Sequence, residues 1–244
     1  MPRFKGHPPE EDCPICMLPM LDLEDSVYKS CCSKVICRGC IHAMVFEAHF
    51  RGGKIGICPF CREQTEQSDE GEIRLLEKHM KNGDAMAFSA LAGYYERGER
   101  GVPQDRQKAN ELYLKAGELG CAASYFNLGC NYRNGTGVDR DMKKALHFLE
   151  LAAMKGSIHA RHNLGGIEAL AGNNQRAMKH LLISVSAGHT ESLDGIKQGY
   201  MHGLVSKHDY AQALRAYQKC RDEAKSDMRD KAEEVRAAIG DPNI

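Results

Sequence analysis

Gly101-Val-Pro-Gln-Asp105 recurs 36 residues later as Gly137-Val-Asp-Arg-Asp141, and Lys108-Ala109 recurs at the same interval as Lys144-Ala145. Ala177 and Ala213 continue the series. Between these markers apolar residues return at helical spacing, and Leu119-Gly120, Lys155-Gly156 and Ala187-Gly188 each close an apolar run, as glycine does at a left-handed helix cap. A period in the middle thirties holds two helices of about 12–15 residues plus turns, so the chain is predicted to stack helical hairpins, roughly nine antiparallel helices in all. Such hairpins bury their apolar faces only against neighbours, and the ends need polar caps. The charged stretch Ser226 to Ala238 is expected to be the C-terminal cap. Gly93, Gly129 and Gly165, with Ala109, Ala145 and Ala177, are expected to let neighbouring helices approach closely.

Over about 85–240 the chain resembles the Sel-one-like (SLR) branch of the tetratricopeptide superfamily. The marks are Asn127-Leu-Gly129 and Asn163-Leu-Gly165, Asn134-Gly-Thr-Gly-Val138, and Ala116-Gly-Glu-Leu-Gly120 echoed by Ala152-Ala-Met-Lys-Gly156. Two units fit well, the third is four residues shorter, and the fourth keeps Tyr210-Ala-Gln-Ala-Leu214. The resemblance implies an all-α right-handed solenoid over 84–244, with about three to four units. Its concave face would hold an unidentified protein or peptide.

The first quarter of the chain is chemically different. Eight of the eleven cysteines lie between Cys13 and Cys61, spaced Cys13-x2-Cys16-x14-Cys31-Cys32-x4-Cys37-x2-Cys40-x17-Cys58-x2-Cys61. Met1 to Asp12 is Pro-rich and charged, without the apolar run of a signal peptide, so metal binding is expected in place of disulfides. Eight thiols make two sets of four, and a two-residue spacer lets both sulfurs of a knuckle reach one tetrahedral ion. Two structural Zn2+ sites follow, each filled by protein, with no open position for a catalytic water.

Cys13-Pro-Ile-Cys16, Val35-Ile-Cys-Arg-Gly-Cys40 and Cys58-Pro-Phe-Cys-Arg62 resemble the RING finger family in its all-cysteine form. The resemblance covers about a fifth of the chain, and the module is assigned to 12–63. It implies a small α+β cross-brace: Cys13, Cys16, Cys37 and Cys40 on one zinc, and Cys31, Cys32, Cys58 and Cys61 on the other. The adjacent pair departs from the family pattern, which places at least one residue between those ligands. His42 or His49 is the replacement should Cys31 or Cys32 point away. The family's shallow apolar groove docks a ubiquitin-conjugating enzyme, and the matching positions are Ile15, Met44 and Pro59. Arg62 matches the linchpin cation that bridges the conjugating enzyme and its thioester-linked ubiquitin. The resemblance thus implies a RING-type E3 ubiquitin-protein ligase that works by orientation, without a covalent intermediate of its own. The alternative is a zinc-binding scaffold or adaptor without ligase activity.

Ile41, Met44, Val45 and Ala48 predict a helix after Cys40, followed by a flexible loop at Arg51-Gly-Gly-Lys-Ile-Gly56. Residues 1–11 read as a disordered tail and 64–83 as an acidic linker with a lead-in helix. The whole is mainly α. Lys+Arg and Asp+Glu are balanced at 33 each, and no segment concentrates basic charge, which disfavours nucleic acid as a partner. No apolar run approaches the roughly 18 residues of a membrane helix, so no membrane association and an intracellular, cytoplasmic or nuclear, location are expected. His159 and His162 lie three apart on one helical face with no third ligand evident, and read as packing or surface residues.

Overall fold

The computed structural model describes residues 12–20, 26–51, 56–66 and 68–239. The tail 1–11 and most of the loop expected at 51–56 lie outside the described residues. A two-stranded antiparallel hairpin opens the described fold, β1 (Ser26–Lys29) and β2 (Lys34–Cys37), in the register Ser26 to Cys37 and Lys29 to Lys34. Helix α1 (Arg38–Arg51) continues directly from β2. Cys13, Met20, Ile36, Cys37, Cys40 and Cys58 form the buried centre of this module. Apart from cysteine, therefore, only two side chains are fully inside it among the described residues.

Ten further helices follow: α2 (Asp69–Lys81), α3 (Ala85–Arg97), α4 (Arg106–Glu118), α5 (Ala122–Asn134), α6 (Met142–Met154), α7 (Ile158–Leu170), α8 (Asn174–Ser186), α9 (Thr190–Met201), α10 (Lys207–Ala224) and α11 (Asp227–Ile239). From α3 to α10 they pair as hairpins, and each hairpin packs on the next. The described residues are mostly helical, as a hairpin solenoid requires. Among the described residues no helix is long and apolar enough to cross a membrane.

The repeated pentapeptide owes its recurrence to capping. Asp105 and Asp141 are the N-caps of α4 and α6 with nearly the same backbone angles, φ −143° and −142°. Asp105 accepts from the N–H of Lys108, and Asp141 from those of Lys143 and Lys144. Such a cap is worth about 1 kcal/mol. Gly137 has φ +67°, and a Cβ there would lie 2.5 Å from Arg106 Cβ, so both the turn and the close approach of the previous unit demand glycine. The third unit loses its four residues in this turn: α7 and α8 are joined by 171–173 alone, where the preceding units use 98–105 and 135–141.

Helix contacts explain two of the three glycines expected at close approaches. A Cβ on Gly129 would sit 2.7 Å from Leu149 Cγ, and one on Gly165 2.9 Å from Leu181 Cδ2. Gly93 differs, because a Cβ there would meet only the side chain of Arg97, on its own helix. Ala109, Ala145 and Ala177 are all fully buried. The large central core joins Tyr113, Tyr125, Leu128, Leu149 and Leu164 across three units.

The cysteine module touches the solenoid at both of its ends. At the first, Tyr28 Oη donates to Asp84 Oδ2 at 3.1 Å, and Ser33 Oγ donates to the same carboxylate oxygen. Asp84 also caps α3, its Oδ1 accepting from the N–H of Met86 at 2.9 Å. At the other end, α11 packs along α1. The charged helix expected to cap the solenoid thus lies against the module.

Candidate metal centre

Two knuckles in the module are built alike. The N–H of Cys13 donates to Leu18 O at 3.0 Å and that of Met17 to Cys13 O at 2.8 Å. In the last knuckle Cys58 donates to Glu63 O at 2.8 Å and Arg62 to Cys58 O at 2.9 Å. Each turn ends on a non-glycine residue in the left-handed region, Met17 at φ +57° and Arg62 at φ +61°. The turn leaves backbone N–H groups facing the first sulfur of each knuckle.

The remaining ligands come from the hairpin. Cys37 ends β2 and Cys40 lies in the first turn of α1. Cys31 and Cys32 occupy the four-residue loop between the strands, where Ser33 adopts φ +56° and its N–H returns to Lys29 O at 2.8 Å. This tight turn is what allows adjacent cysteines to face one site.

The thiols gather in two groups of four, Cys13, Cys16, Cys37 and Cys40, and Cys31, Cys32, Cys58 and Cys61; within each, all sulfurs lie within 4.8 Å of one another. The pairs interleave along the chain, first with third and second with fourth. Sulfur separations are 3.9 Å for Cys13–Cys40, 3.8 Å for Cys16–Cys37, 3.8 Å for Cys32–Cys58 and 3.6 Å for Cys31–Cys61. A disulfide needs about 2.05 Å. Four thiolates at about 2.3 Å around a tetrahedral ion stand about 3.8 Å apart, so both groups fit such an ion. His42 is in neither group; it stacks on Phe46 with ring centroids 6.2 Å apart. The side chain of His49 lies outside the described residues.

Electrostatics within the groups follows the same construction. Burial pushes the Cys13 thiol up, but the N–H groups of Cys16, Cys37 and Ile15 outweigh it and leave the pKa lowered to about 7. Cys58 is also lowered: burial opposes, and the N–H groups of Cys61 and Phe60 prevail. Burial and the neighbouring thiols Cys37 and Cys58 raise Cys40 and Cys31, respectively, and Cys32 is pushed up to about 11 by burial and Cys58. Four like charges at this spacing need a cation among them, and binding one must release protons.

The residues matched to the RING groove stand on elements that these groups tie together. Ile15, on the first knuckle, is 38% exposed; Met44 lies on α1 and Pro59 in the last knuckle, both half-buried; Arg62 is exposed. Phe60, within the quoted Cys58-Pro-Phe-Cys61 string, adds an exposed aromatic ring that motif matching passed over, 41% exposed. A cavity of about 400 Å³ opens between α1, β1, α10 and α11, lined among others by Met20, Ile41, His42 and Ala224; none of Ile15, Met44, Pro59 or Arg62 lines it.

In the solenoid, the structure adds a third imidazole to His159 and His162. The His189 ring lies 5.1 Å and 4.8 Å from theirs. His189 Nδ1 accepts from the N–H of Ser192 as the N-cap of α9, and the Nδ1 atoms of His162 and His189 both lie 3.0 Å from Ser192 Oγ. These rings serve as a cap and its packing, and the metal-ligand groups among the described residues do not include them.

The Sel1 repeat family model matches residues 84–121, 122–157 and 195–219. All three matched segments lie in the helical part. The shortened unit after 157 falls between the matched Sel1 segments, consistent with its missing turn. Two solved Sel1-type structures share the fold. A Sel1 repeat protein from Oxalobacter formigenes is 24% identical, with TM-score 0.54 over 76% of this chain and 71% of that one. The protective antigen c5321 of uropathogenic Escherichia coli, with an SLR fold, is 22% identical, with TM-score 0.56 over 74% of this chain and 37% of that one. Among curated proteins, the ERAD-associated E3 ubiquitin-protein ligase component HRD3B of Arabidopsis thaliana is 30% identical over 105 residues. That alignment spans 43% of this chain and 16% of the relative. No RING family model matches the cysteine module.

Proposed function

We propose that this chain is a RING-type E3 ubiquitin-protein ligase in which the cysteine module binds two structural zinc ions and recruits a ubiquitin-charged conjugating enzyme. The Sel1 repeats hold a substrate or assembly partner. The observation that carries this reading is the interleaved pair of four-thiol groups with two matching knuckles, the arrangement that gives a RING its conjugating-enzyme surface. Zinc would supply only rigidity, since each group offers four thiolates and leaves no ligand position for water. Ile15, Met44 and Pro59 provide apolar contact for the conjugating enzyme, and Phe60 extends it. Arg62 provides the five-donor fork that bridges enzyme and ubiquitin and holds the thioester ready for attack. Rate is gained through orientation. The similarity of 105 residues to a ubiquitin-ligase component is consistent with this setting.

A scaffold without transfer activity is the second reading, favoured by the adjacent Cys31-Cys32 pair and by the bracing of the module at both ends. Single-turnover discharge of ubiquitin from a panel of charged conjugating enzymes onto free lysine separates the two. A ligase accelerates discharge, and Ile15→Ala and Arg62→Ala abolish the acceleration while both zinc ions are retained. Wild-type protein with two zinc ions and no acceleration across the panel would refute the ligase.

A further inference from the structure

Helix α11 meets the module through two features that share one contact. Gly39, between Cys37 and Cys40, has no room for a side chain: a Cβ would lie 2.7 Å from Arg229 Cγ and 3.0 Å from both Cα and N of Arg229. The guanidinium of Arg229 then reaches into the first knuckle. Its Nη1 donates to Pro19 O at 2.6 Å and to Ala224 O at 2.9 Å, and its Nη2 donates to Leu18 O at 3.1 Å and to Cys16 Sγ at 3.6 Å. Leu18 O is the carbonyl that accepts from the N–H of Cys13, so one cation grips both the knuckle backbone and a ligand sulfur.

Four thiolates around a divalent ion carry a formal excess of two negative charges in a largely desolvated centre. A guanidinium against one of the sulfurs offsets part of that excess, and groups outside the ligand set commonly change metal affinity by 10–100-fold. We propose that Arg229 is a positioning residue for the Cys13, Cys16, Cys37 and Cys40 group and that α11 is a latch. Metal occupancy of that group and closure of the helix onto the module are then one coupled equilibrium. The inference rests on the proposed metal binding by this group. Coupling is reciprocal: the ion holds α11 down by as much as α11 holds the ion. With the Asp84 contacts at the other end, a closed latch joins both ends of the solenoid to one small module.

The test uses the full-length, zinc-loaded chain. Release of zinc into a colorimetric chelator is followed alongside hydrogen–deuterium exchange of the amides in α11. Arg229→Gln is expected to speed the release of one of the two ions about tenfold or more, leave the other unchanged, and raise exchange in α11. Arg229→Lys keeps the charge without the fork and should fall between. Gly39→Ala pushes the helix away without altering any charge, and should accelerate the same ion; it covers the case in which Arg229→Gln does not fold. Two bound ions leaving both Arg229→Gln and Gly39→Ala at wild-type rates would overturn the latch and leave the metal reading intact. Unchanged protection of α11 after zinc removal would do the same. A chain that binds no zinc removes the metal reading and the latch together.

Discussion

Under the proposed function, chelation of the two zinc ions should divide the molecule into a part that unfolds and a part that does not. Among the described residues of the module, only Met20 and Ile36 are buried besides cysteine, and their burial supplies about 5 kcal/mol at roughly 2–3 kcal/mol per side chain. Ordering a segment of some fifty residues costs about 1.5 kcal/mol per residue, far beyond that sum and the hairpin's hydrogen bonds. Each structural zinc contributes about 10–16 kcal/mol in comparable small sites, so the metal decides whether the module is folded. The solenoid owes nothing to the metal: its core is Tyr113, Tyr125, Leu128, Leu149, Leu164 and their neighbours. Far-UV circular dichroism at 222 nm under excess EDTA reads the division. Loss of the 14 residues of α1 alone removes about a tenth of the helical signal; loss of α1 with the 13 of α11 removes a little under a fifth. The larger drop is expected, with the urea midpoint of the remaining helices unchanged. Full retention of signal after verified zinc removal would refute the claim that metal holds the module together. Collapse of the whole helical signal would refute the independence of the solenoid.

Leu149→Ala should cost about 3–5 kcal/mol by urea unfolding, because the side chain is fully buried and wedged against Gly129, while zinc stoichiometry stays at two; a loss below about 1 kcal/mol would mean that α5 and α6 are not packed as described. Acid should weaken the solenoid through His180, whose pKa is lowered to about 4 by burial and then by the nearby Arg161 charge. The unfolded chain takes up the proton near pH 6.5 and the folded one does not, so stability is full above that pH and falls on acidification toward 4, by about 2 kcal/mol at pH 5. Urea midpoints at pH 7.5 and 5 for wild type and His180→Gln check this; an equal acid loss in both would assign it to other groups.

Much of the solenoid is legible because its rules are local. Capping, glycine turns and apolar spacing act within a few residues, so a 36-residue recurrence exposes Asp105 and Asp141 without any knowledge of what they touch. The short third unit is visible as a four-residue deficit, and the structure places that deficit in the 171–173 turn. Where a feature depends on a partner far along the chain, pattern reading weakens. Gly93 shares its repeat position with Gly129, yet its space is taken by its own Arg97. Which four cysteines share a site rests on resemblance to the RING pattern, since spacing alone permits several pairings. His189 escaped notice as a cap because histidine is not among the usual N-cap residues, and Asp84 looks like any other N-cap although it also receives Tyr28 and Ser33.

The docking of α11 has the weakest trace in the sequence, and the reason is instructive. Arg229 and Cys16 are 213 positions apart, and a helix with Asp, Arg, Lys and Glu in mixed order reads as a solvated surface. The one local sign sits at the other partner. Gly39 does not have a positive φ, so its backbone does not require glycine, and it stands in a helix, where glycine costs about 1 kcal/mol relative to alanine. A glycine that is neither needed by its own backbone nor favoured by its helix points to something that must come close. Here that is Arg229. Under the proposed function the consequence is geometric: a module held at Asp84 and at Arg229 cannot swing on the linker ahead of α2. Whatever the repeats bind would then meet the conjugating enzyme at a set distance, and lengthening that linker should leave ubiquitin transfer unchanged as long as both contacts persist.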